Sequence, residues 1–462
     1  MKRKSMTYSL ATCMGLSLLS MASANATEAW TEFRNGGNTS IEAQGLPVTW
    51  SPDEGIAWKI ELPGYGQSSP VIWKDVVYLT SIQGDDKEQC FLVAIEMASG
   101  DVLWQREYPA TVRLKNAEMV SRAAPTPVID ANGIYVLFES GDLHAISHDG
   151  SSQWHKSLFE DAGSYKNNHG YAASLTQMDN AVIVLVDHTG PSYLLALNKQ
   201  TGEEVWKTER TSRTSWSSPC VTQFGDQVQV IVSSGGTVDG YDARTGKQLW
   251  SCSGLNGNTI PSATPVGDLI FVGASQARGG ASEAAAASNC CVKITPGGDA
   301  PYQVLWKAEK ALCSYVSPLA HRGYVYYVNS VGVLYCLEAA TGRQCYAERI
   351  DGACWAQPVA VGDLIYFFTK KGVTSVVKAG PEFEQVASNR LWTEEAPPRR
   401  AAEEAAPGGE SGAEAQPRSR EQMDPIIYAV AAVDRAFVIR LGTHLYRIGT
   451  NVAVAAGETG LK

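Results

Sequence analysis

One short pattern constrains this chain more than any other feature of it. The stretch Ala94-Ile95-Glu96-Met97-Ala98-Ser99-Gly100-Asp101-Val102-Leu103-Trp104 reads as strand, tight turn and strand, closed by a Trp. Ser99-Gly100 supplies the turn, because glycine adopts positive φ without steric cost. The unit returns as Ala196-Leu197-Asn198 through Thr201-Gly202 to Trp206, and as Tyr241-Asp242 through Thr245-Gly246 to Trp250. A further copy runs from Cys336-Leu337-Glu338 through Thr341-Gly342 to Tyr346, with Tyr in the Trp position. A shortened copy runs from Ala145-Ile146 through Asp149-Gly150 to Trp154, and copies ending at Trp306 and Trp392 carry longer turns. Self-similarity at a period of roughly 40–50 residues is the signature of a propeller or solenoid.

The residues between these units are regular too. Each unit opens on a short strand led by a small residue or Gln before Pro, as in Ser69-Pro70-Val71-Ile72, Thr126-Pro127-Val128-Ile129, Ser218-Pro219-Cys220-Val221, Thr264-Pro265-Val266, Ser317-Pro318-Leu319 and Gln357-Pro358-Val359. Proline is tolerated at the start of a strand, where its missing N–H interrupts no ladder. A β-branched and aromatic strand follows, for example Val76–Ser81 or Tyr324–Asn329, then a third strand and the Trp-bearing fourth. Four short antiparallel strands per repeat make the blade of a β-propeller.

The closing aromatics are Trp58, Trp104, Trp154, Trp206, Trp250, Trp306, Tyr346 and Trp392, which predicts eight blades. After Trp392 come three strands, near Ile426–Val430, Phe437–Leu441 and His444–Ile448, without a fourth. The Trp58 segment is the mirror case, a fourth strand without its first three. The N-terminal strand is therefore expected to complete the last blade and close the ring. The expected fold is all-β, an eight-bladed propeller over 58–450, preceded by a lead-in over 27–57 with a loop at Asn35-Gly36-Gly37-Asn38, and followed by a tail over 451–462.

The repeated A-x-[DEN]-x-x-[ST]-G-x-x-x-W unit resembles the tryptophan-docking motif of pyrroloquinoline-quinone (PQQ) repeat propellers. That family includes quinoprotein alcohol dehydrogenases and the outer-membrane assembly factor BamB. Trp30-x-x-Phe33-Arg34, Gly45-Leu46-Pro47 and Ser68-Ser69-Pro70-Val71 resemble secreted, BamB-like members. The resemblance covers about residues 55–450 and implies the fold strongly. It implies function weakly, since the motif is a packing device that enzymes and scaffolds share. An indole wedged between blades buries roughly 150–250 Å², worth several kcal/mol at about 25 cal/mol per Å². The acids and amide after the third strands (Glu96, Asn198, Asp242, Glu338) read as acceptors for turn N–H groups rather than as catalysts.

Outside the repeats, Lys2, Arg3 and Lys4 precede an apolar stretch and the small residues Ala24-Asn25-Ala26. That layout predicts a signal peptide cleaved after Ala26 and a periplasmic or secreted protein. Leu10-Ala11-Thr12-Cys13 is a poor lipoprotein signal, and no long apolar run offers a membrane span. Glu394–Asp424 is rich in Pro, Ala, Gly, Glu and Arg, which predicts a disordered insertion between blades. A net charge of −10 argues against nucleic acid, whose phosphates need a basic partner surface. A monomer is expected.

Catalytic and metal signatures are missing from the pattern. The seven His (His144, His148, His155, His169, His188, His321 and His444) show no ligand spacing, and no nucleophile elbow or phosphate loop is present. No catalytic or metal residue is assigned, and no cofactor is expected. The resemblance nonetheless raises an alternative, a PQQ- and Ca²⁺-dependent quinoprotein alcohol or sugar dehydrogenase. In that family a vicinal Cys-Cys disulfide lies against the quinone, and this chain has Cys290-Cys291. Their context, Asn289-Cys290-Cys291-Val292-Lys293-Ile294, reads as a strand that points the two thiols to opposite faces. The pairing of the nine Cys that follow Ala26 is not specified by their spacing.

What remains is one end of the propeller axis, ringed by the segments just before each innermost strand. These carry Tyr65 and Gln67, Arg122, Asn168 and His169, Arg213 and Trp216, Asn258, Tyr315, and Trp355 with Gln357. Unlike the repeat residues they differ from blade to blade, as an asymmetric ligand requires. Aromatics and amides converging on a concavity suit a protein partner or a small ligand. The leading expectation is thus a non-catalytic scaffold that binds on this face.

Overall fold

The computed structural model describes residues 29–116, 120–276, 282–298, 300–393 and 425–449. The predicted signal peptide, the 394–424 insertion and the 451–462 tail lie outside the described residues. Eight antiparallel sheets follow one another around an axis, each with four blade strands. Blade 1 is built from Val71–Trp73, Val76–Gln83, Gln89–Glu96 and Val102–Pro109. Blades 2 to 7 repeat this order and begin at Val128, Thr176, Cys220, Thr264, Leu319 and Val359. Blade 8 joins Ala429–Val433, Ala436–Arg440 and His444–Gly449 to the N-terminal strand Ile56–Glu61. Trp58 pairs with Arg447 and Glu61 with His444 in that closing ladder. The ring is closed as the unmatched strands at the two ends of the sequence require. The first C-terminal strand starts later than expected, because Ile426 to Tyr428 are buried in the incoming segment rather than in the ladder.

The closing aromatics stitch neighbouring blades. The indole Nε1 of Trp58 donates to Met97 O in blade 1 at 3.0 Å, and that of Trp104 to His148 O in blade 2 at 3.1 Å. Trp154, Trp206 and Trp306 repeat the bond to Lys199 O, Ala243 O and Ala339 O of the following blade. The turn glycine has a second reason to be there besides its φ of 82°. A Cβ on Gly100 would stand 2.9 Å from the Trp58 ring, so the indole of one blade seats on the bare turn of the next. The residues after the third strand hold these turns. Asn198 Oδ1 accepts from Gln200 N and Thr201 N, and Asp242 Oδ1 from Arg244 N and Thr245 N.

Two positions depart from the sequence pattern. Trp250 lies over Gly240 of its own blade and donates to Gln229 Oε1 at 2.8 Å. The register partners at the equivalent positions are Ala94, Ala145 and Ala196, whose methyl groups occupy that space. The assignment of Trp392 as the closing aromatic of blade 7 is corrected. Val376 pairs with Ala387, so Ala387 holds the position that Tyr346 holds opposite Cys336 in blade 6. Trp392 follows the strand Gln385–Arg390. The described part of the lead-in enters the axial channel, and its Asn35-Gly36-Gly37 stretch is a turn at positive φ.

Residues Ala29–Trp30 form a fifth strand on the inner edge of blade 1, pairing with Trp73 and Ile72. The chain climbs to Phe33, reverses through Arg34, Asn35, Gly36 and Gly37, all at positive φ, and descends along blades 6 and 7. Arg34 is buried and donates to Ala263 O at 2.9 Å, to Pro318 O at 3.1 Å and to Thr264 Oγ1. Asn38 donates to Ala320 O, and Ile41 N to Ala360 O. The chain leaves at the end of the axis where Arg435 N meets Gln44 O, then runs past Asn389 to become the outer strand of blade 8.

Candidate functional site: the axial funnel

The hairpin seals the channel from one end, called here the bottom face. The other end, the top face, stays open as a blind funnel whose floor is Phe33 and whose cavity measures about 180 Å³. Its waist is a belt of residues two positions before the innermost strands of blades 1 to 7. Ser69 N donates to Thr126 Oγ1, Thr126 N to Ser174 Oγ, Ser174 N to Ser218 Oγ, Ser218 N to Ser262 Oγ, and Ser262 N to Ser317 Oγ, all at 2.8–3.0 Å. Ser317 N then donates to Gln357 Oε1 at 2.8 Å. The belt therefore ties blades 1 to 7 together, and Ala429 stands at the blade 8 position without a hydroxyl. The recurrent Ser/Thr-Pro pairs were the visible trace of this belt, read from the sequence only as strand starts.

Above the belt the rim is aromatic. Tyr315 and Trp355 have ring centroids 5.4 Å apart, Trp355 and Tyr428 5.7 Å, and Tyr428 and Tyr65 6.0 Å. The Tyr65 and Tyr428 hydroxyls are 2.6 Å apart. These contacts form one arc across blades 6, 7, 8 and 1, within the range where aromatic rings attract edge to face. Lys370 lies 5.3 Å from the Trp355 ring within the arc and Arg122 4.6 Å from the Tyr65 ring at its end, so two cations border it. Trp216 and His169 face the arc from blades 4 and 3, with centroids 5.5 Å apart.

The structure sorts the sequence-derived residues into three groups. Gln67, Trp216, Tyr315, Trp355 and Gln357 line the cavity. Tyr65, Arg122 and His169 belong to the rim around it. Asn168 is exposed away from the cavity lining. Arg213 turns to Thr237 Oγ1 at 2.8 Å and Asp239, and Asn258 is buried with all its polar atoms spent inside blade 4. Sequence reasoning missed Phe33, Tyr428, Lys370 and Arg440. Arg440 is buried beneath the funnel wall and donates to Ser68 Oγ at 2.8 Å and Ser81 Oγ at 3.1 Å. Burial pushes its guanidinium down to about 9, and that of Arg34 to about 10, so both remain charged at neutral pH.

The donor set does not suit a Ca²⁺-bound quinone. Ca²⁺ takes six to eight oxygen ligands with carboxylates among them. Among the described residues no Asp or Glu side chain lines the cavity. Among the described residues no cluster of His, Cys, Asp or Glu could hold a metal ion. Cys290 and Cys291 lie in the third strand of blade 5, fully buried and pointing into different apolar clusters. Burial pushes both thiols up to about 12. Neither lines the funnel.

Comparison with known proteins places this architecture. A curated relative, the outer membrane protein assembly factor BamB of Shewanella oneidensis, is 21% identical over 235 residues, covering 50% of this chain and 54% of that protein. The chain thus spans about half the length of the curated relative it matches. The crystal structure of BamB from Moraxella catarrhalis superposes with a TM-score of 0.57 at 12% identity, over 86% of this chain and 98% of that one. A quinohemoprotein alcohol dehydrogenase, ADHIIG from Pseudomonas putida HK5, superposes with a TM-score of 0.53 at 10% identity, over 94% and 82%. At such identities both superpositions speak to the fold alone. The sequence profile described as outer membrane protein assembly factor BamB matches residues 40–170, 166–289 and 299–418. On that match, which takes in six of the eight blades whole and all of blade 5 but its third strand, the chain belongs to the BamB family of PQQ-repeat propellers.

Proposed function

We propose that this chain is a non-catalytic binding propeller of the periplasm or cell exterior, which receives a protein partner on its top face in the assembly of outer membrane proteins. The observation that carries the reading is the rim. Its aromatic arc breaks the symmetry of the repeats and lies at the open end of a channel that the chain's own N-terminal segment closes from below. Aromatic anchors flanked by cations are the composition of a binding hot spot. Tyr315 is 41% exposed, which leaves a large side chain available at the mouth. The acidic charge of the chain favours a protein over a nucleic-acid partner. Among the described residues no helix is long and apolar enough to cross a membrane.

Site-specific crosslinking in the native host tests this. A photoreactive residue replacing Tyr315 should capture envelope proteins of the assembly machinery, while one replacing Lys74, on a bottom-face turn, should not. Capture from Lys74 alone, or unchanged outer-membrane protein levels after deletion of the gene, would refute the reading.

A further inference from the structure

The belt of the funnel has an unusual polarity. Ser69, Thr126, Ser174, Ser218 and Ser262 line the cavity. The last four accept a backbone N–H from the neighbouring blade. None of the five hydroxyls donates to a protein acceptor among the described residues. The two amides repeat the arrangement. Gln67 Oε1 accepts from Arg122 N and Gln357 Oε1 from Ser317 N, which fixes the amide orientation and leaves each NH₂ as a donor. Seven side chains from six blades thus have O–H or N–H groups to spare around one axis, with no carboxylate among the lining side chains.

The surrounding charge has the same sign. Arg34 lies directly after the floor residue Phe33 and bonds to the residues that follow Ser262 and Ser317 in the belt, with oxygen acceptors that are all neutral. Arg440 is enclosed behind the wall with two neutral hydroxyl acceptors. Lys370 and Arg122 flank the rim. Glu32 directly precedes the floor residue Phe33 and Glu139 meets the backbone of the lining residue Ala124, and burial pushes both carboxyl groups up toward the neutral form. Converging donors backed by buried cations make an anion site. Its volume is far above what one water molecule needs.

We propose that the axial cavity binds the carboxylate of a small organic acid with an aromatic or apolar body. The carboxylate oxygens take the hydroxyl and amide donors of the belt. The apolar body rests against Trp216, Tyr315, Trp355 and Tyr428. This goes beyond the scaffold reading, because it assigns a ligand to the interior of the funnel rather than a partner to its rim.

Titration calorimetry of the whole chain with benzoate, and with benzamide as its uncharged counterpart, tests the site. Benzoate should bind saturably with a stoichiometry near one, and benzamide at least about tenfold more weakly. Gln357→Glu keeps the acceptor for Ser317 N and replaces the NH₂ donor by a charge of the wrong sign. It should weaken benzoate about tenfold or more and leave the unliganded melting temperature unchanged. Gln67→Glu is the second variant of the same design, should either one fail to fold. Equal affinity for benzoate and benzamide, benzoate binding indifferent to both variants, or no saturable benzoate binding in the millimolar range would each overturn the proposal. None of these outcomes bears on crosslinking from the rim, so the two readings fail separately.

Discussion

Trp206→Ala is the sharpest test of what holds the ring together. The indole is 8% exposed and sits between blade 3 and blade 4. Burying it removes roughly 150–250 Å² from water, or about 4–6 kcal/mol at 25 cal/mol per Å². A compact denatured chain lowers that by roughly 10–40%. Its Nε1 bond to Ala243 O, at 3.0 Å, adds about 1 kcal/mol. Trp206→Ala should therefore cost about 3–5 kcal/mol, the range seen when large core aromatics are truncated. Trp206→Phe keeps most of the apolar burial, loses the bond, and should cost about 1–2 kcal/mol. The assay is urea unfolding followed by tryptophan fluorescence and circular dichroism, with the slope m compared between variants. A loss below about 1 kcal/mol for Trp206→Ala at unchanged m would refute the argument that inter-blade indoles carry the stability.

Three further outcomes follow from the channel and the thiols. Arg34→Met leaves Ala263 O, Thr264 Oγ1 and Pro318 O without their donor and should lower urea stability by about 2–3 kcal/mol; equal or greater stability would mean that the desolvation of the guanidinium outweighs its bonds. Burial raises the Glu32 carboxyl from 4.5 to about 7 despite its bond to Thr176, so its contribution to stability is full below pH 4.5 and is lost as pH rises through 7. Glu32→Gln should consequently gain on the native protein above pH 7, by at most about 3 kcal/mol and by less to the extent that the side chain touches solvent; parallel stability–pH curves for the two proteins would contradict this. Among the described residues eight of nine cysteines are buried and Cys345 is partly exposed, so native protein should show one fast-reacting thiol toward a disulfide reagent, and several would contradict the buried, reduced arrangement.

The fold was legible because the propeller repeats its most specific turn. Gly100, Gly202, Gly246 and Gly342 each mark where one blade receives the aromatic of the previous one, and the orphan strand at Trp58 required a partner at the other end of the chain. Trp392 misled because the turn after Lys378 is long. Gln385 pairs with Val377, which brings Ala387 rather than an aromatic into register. Trp250 kept its place in the sequence and changed its partner, since only Gly240 leaves room for an indole to fold back over its own blade. Neither event alters periodicity, so neither could be seen there. The funnel was half legible for a related reason. Position before an innermost strand correctly brings Gln67, Trp216, Tyr315, Trp355 and Gln357 together. It does not reveal which way a side chain turns, and Asn258 turns into its own blade.

The lead-in was unreadable because its fit depends on residues hundreds of positions away, yet its composition follows from what a ring of eight sheets leaves behind. The innermost strand of every blade turns an unpaired edge toward the axis, and unpaired backbone groups away from bulk water cost free energy. The hairpin meets that need blade by blade. Ala29–Trp30 extends the ladder of blade 1, Thr31 O accepts from Ile129 N of blade 2, and Glu32 accepts from Thr176 of blade 3. Arg34 serves the carbonyls of blades 5 and 6, Asn38 serves Ala320 O, and Thr39 and Ile41 pair with Ala360 of blade 7. Long polar side chains are required here, since a single strand cannot touch so many edges with its backbone alone. The same plug decides where chemistry is possible. It closes the bottom of the axis, brings a buried cation beneath the belt, and confines any ligand or partner of the channel to the top face, where the blades differ.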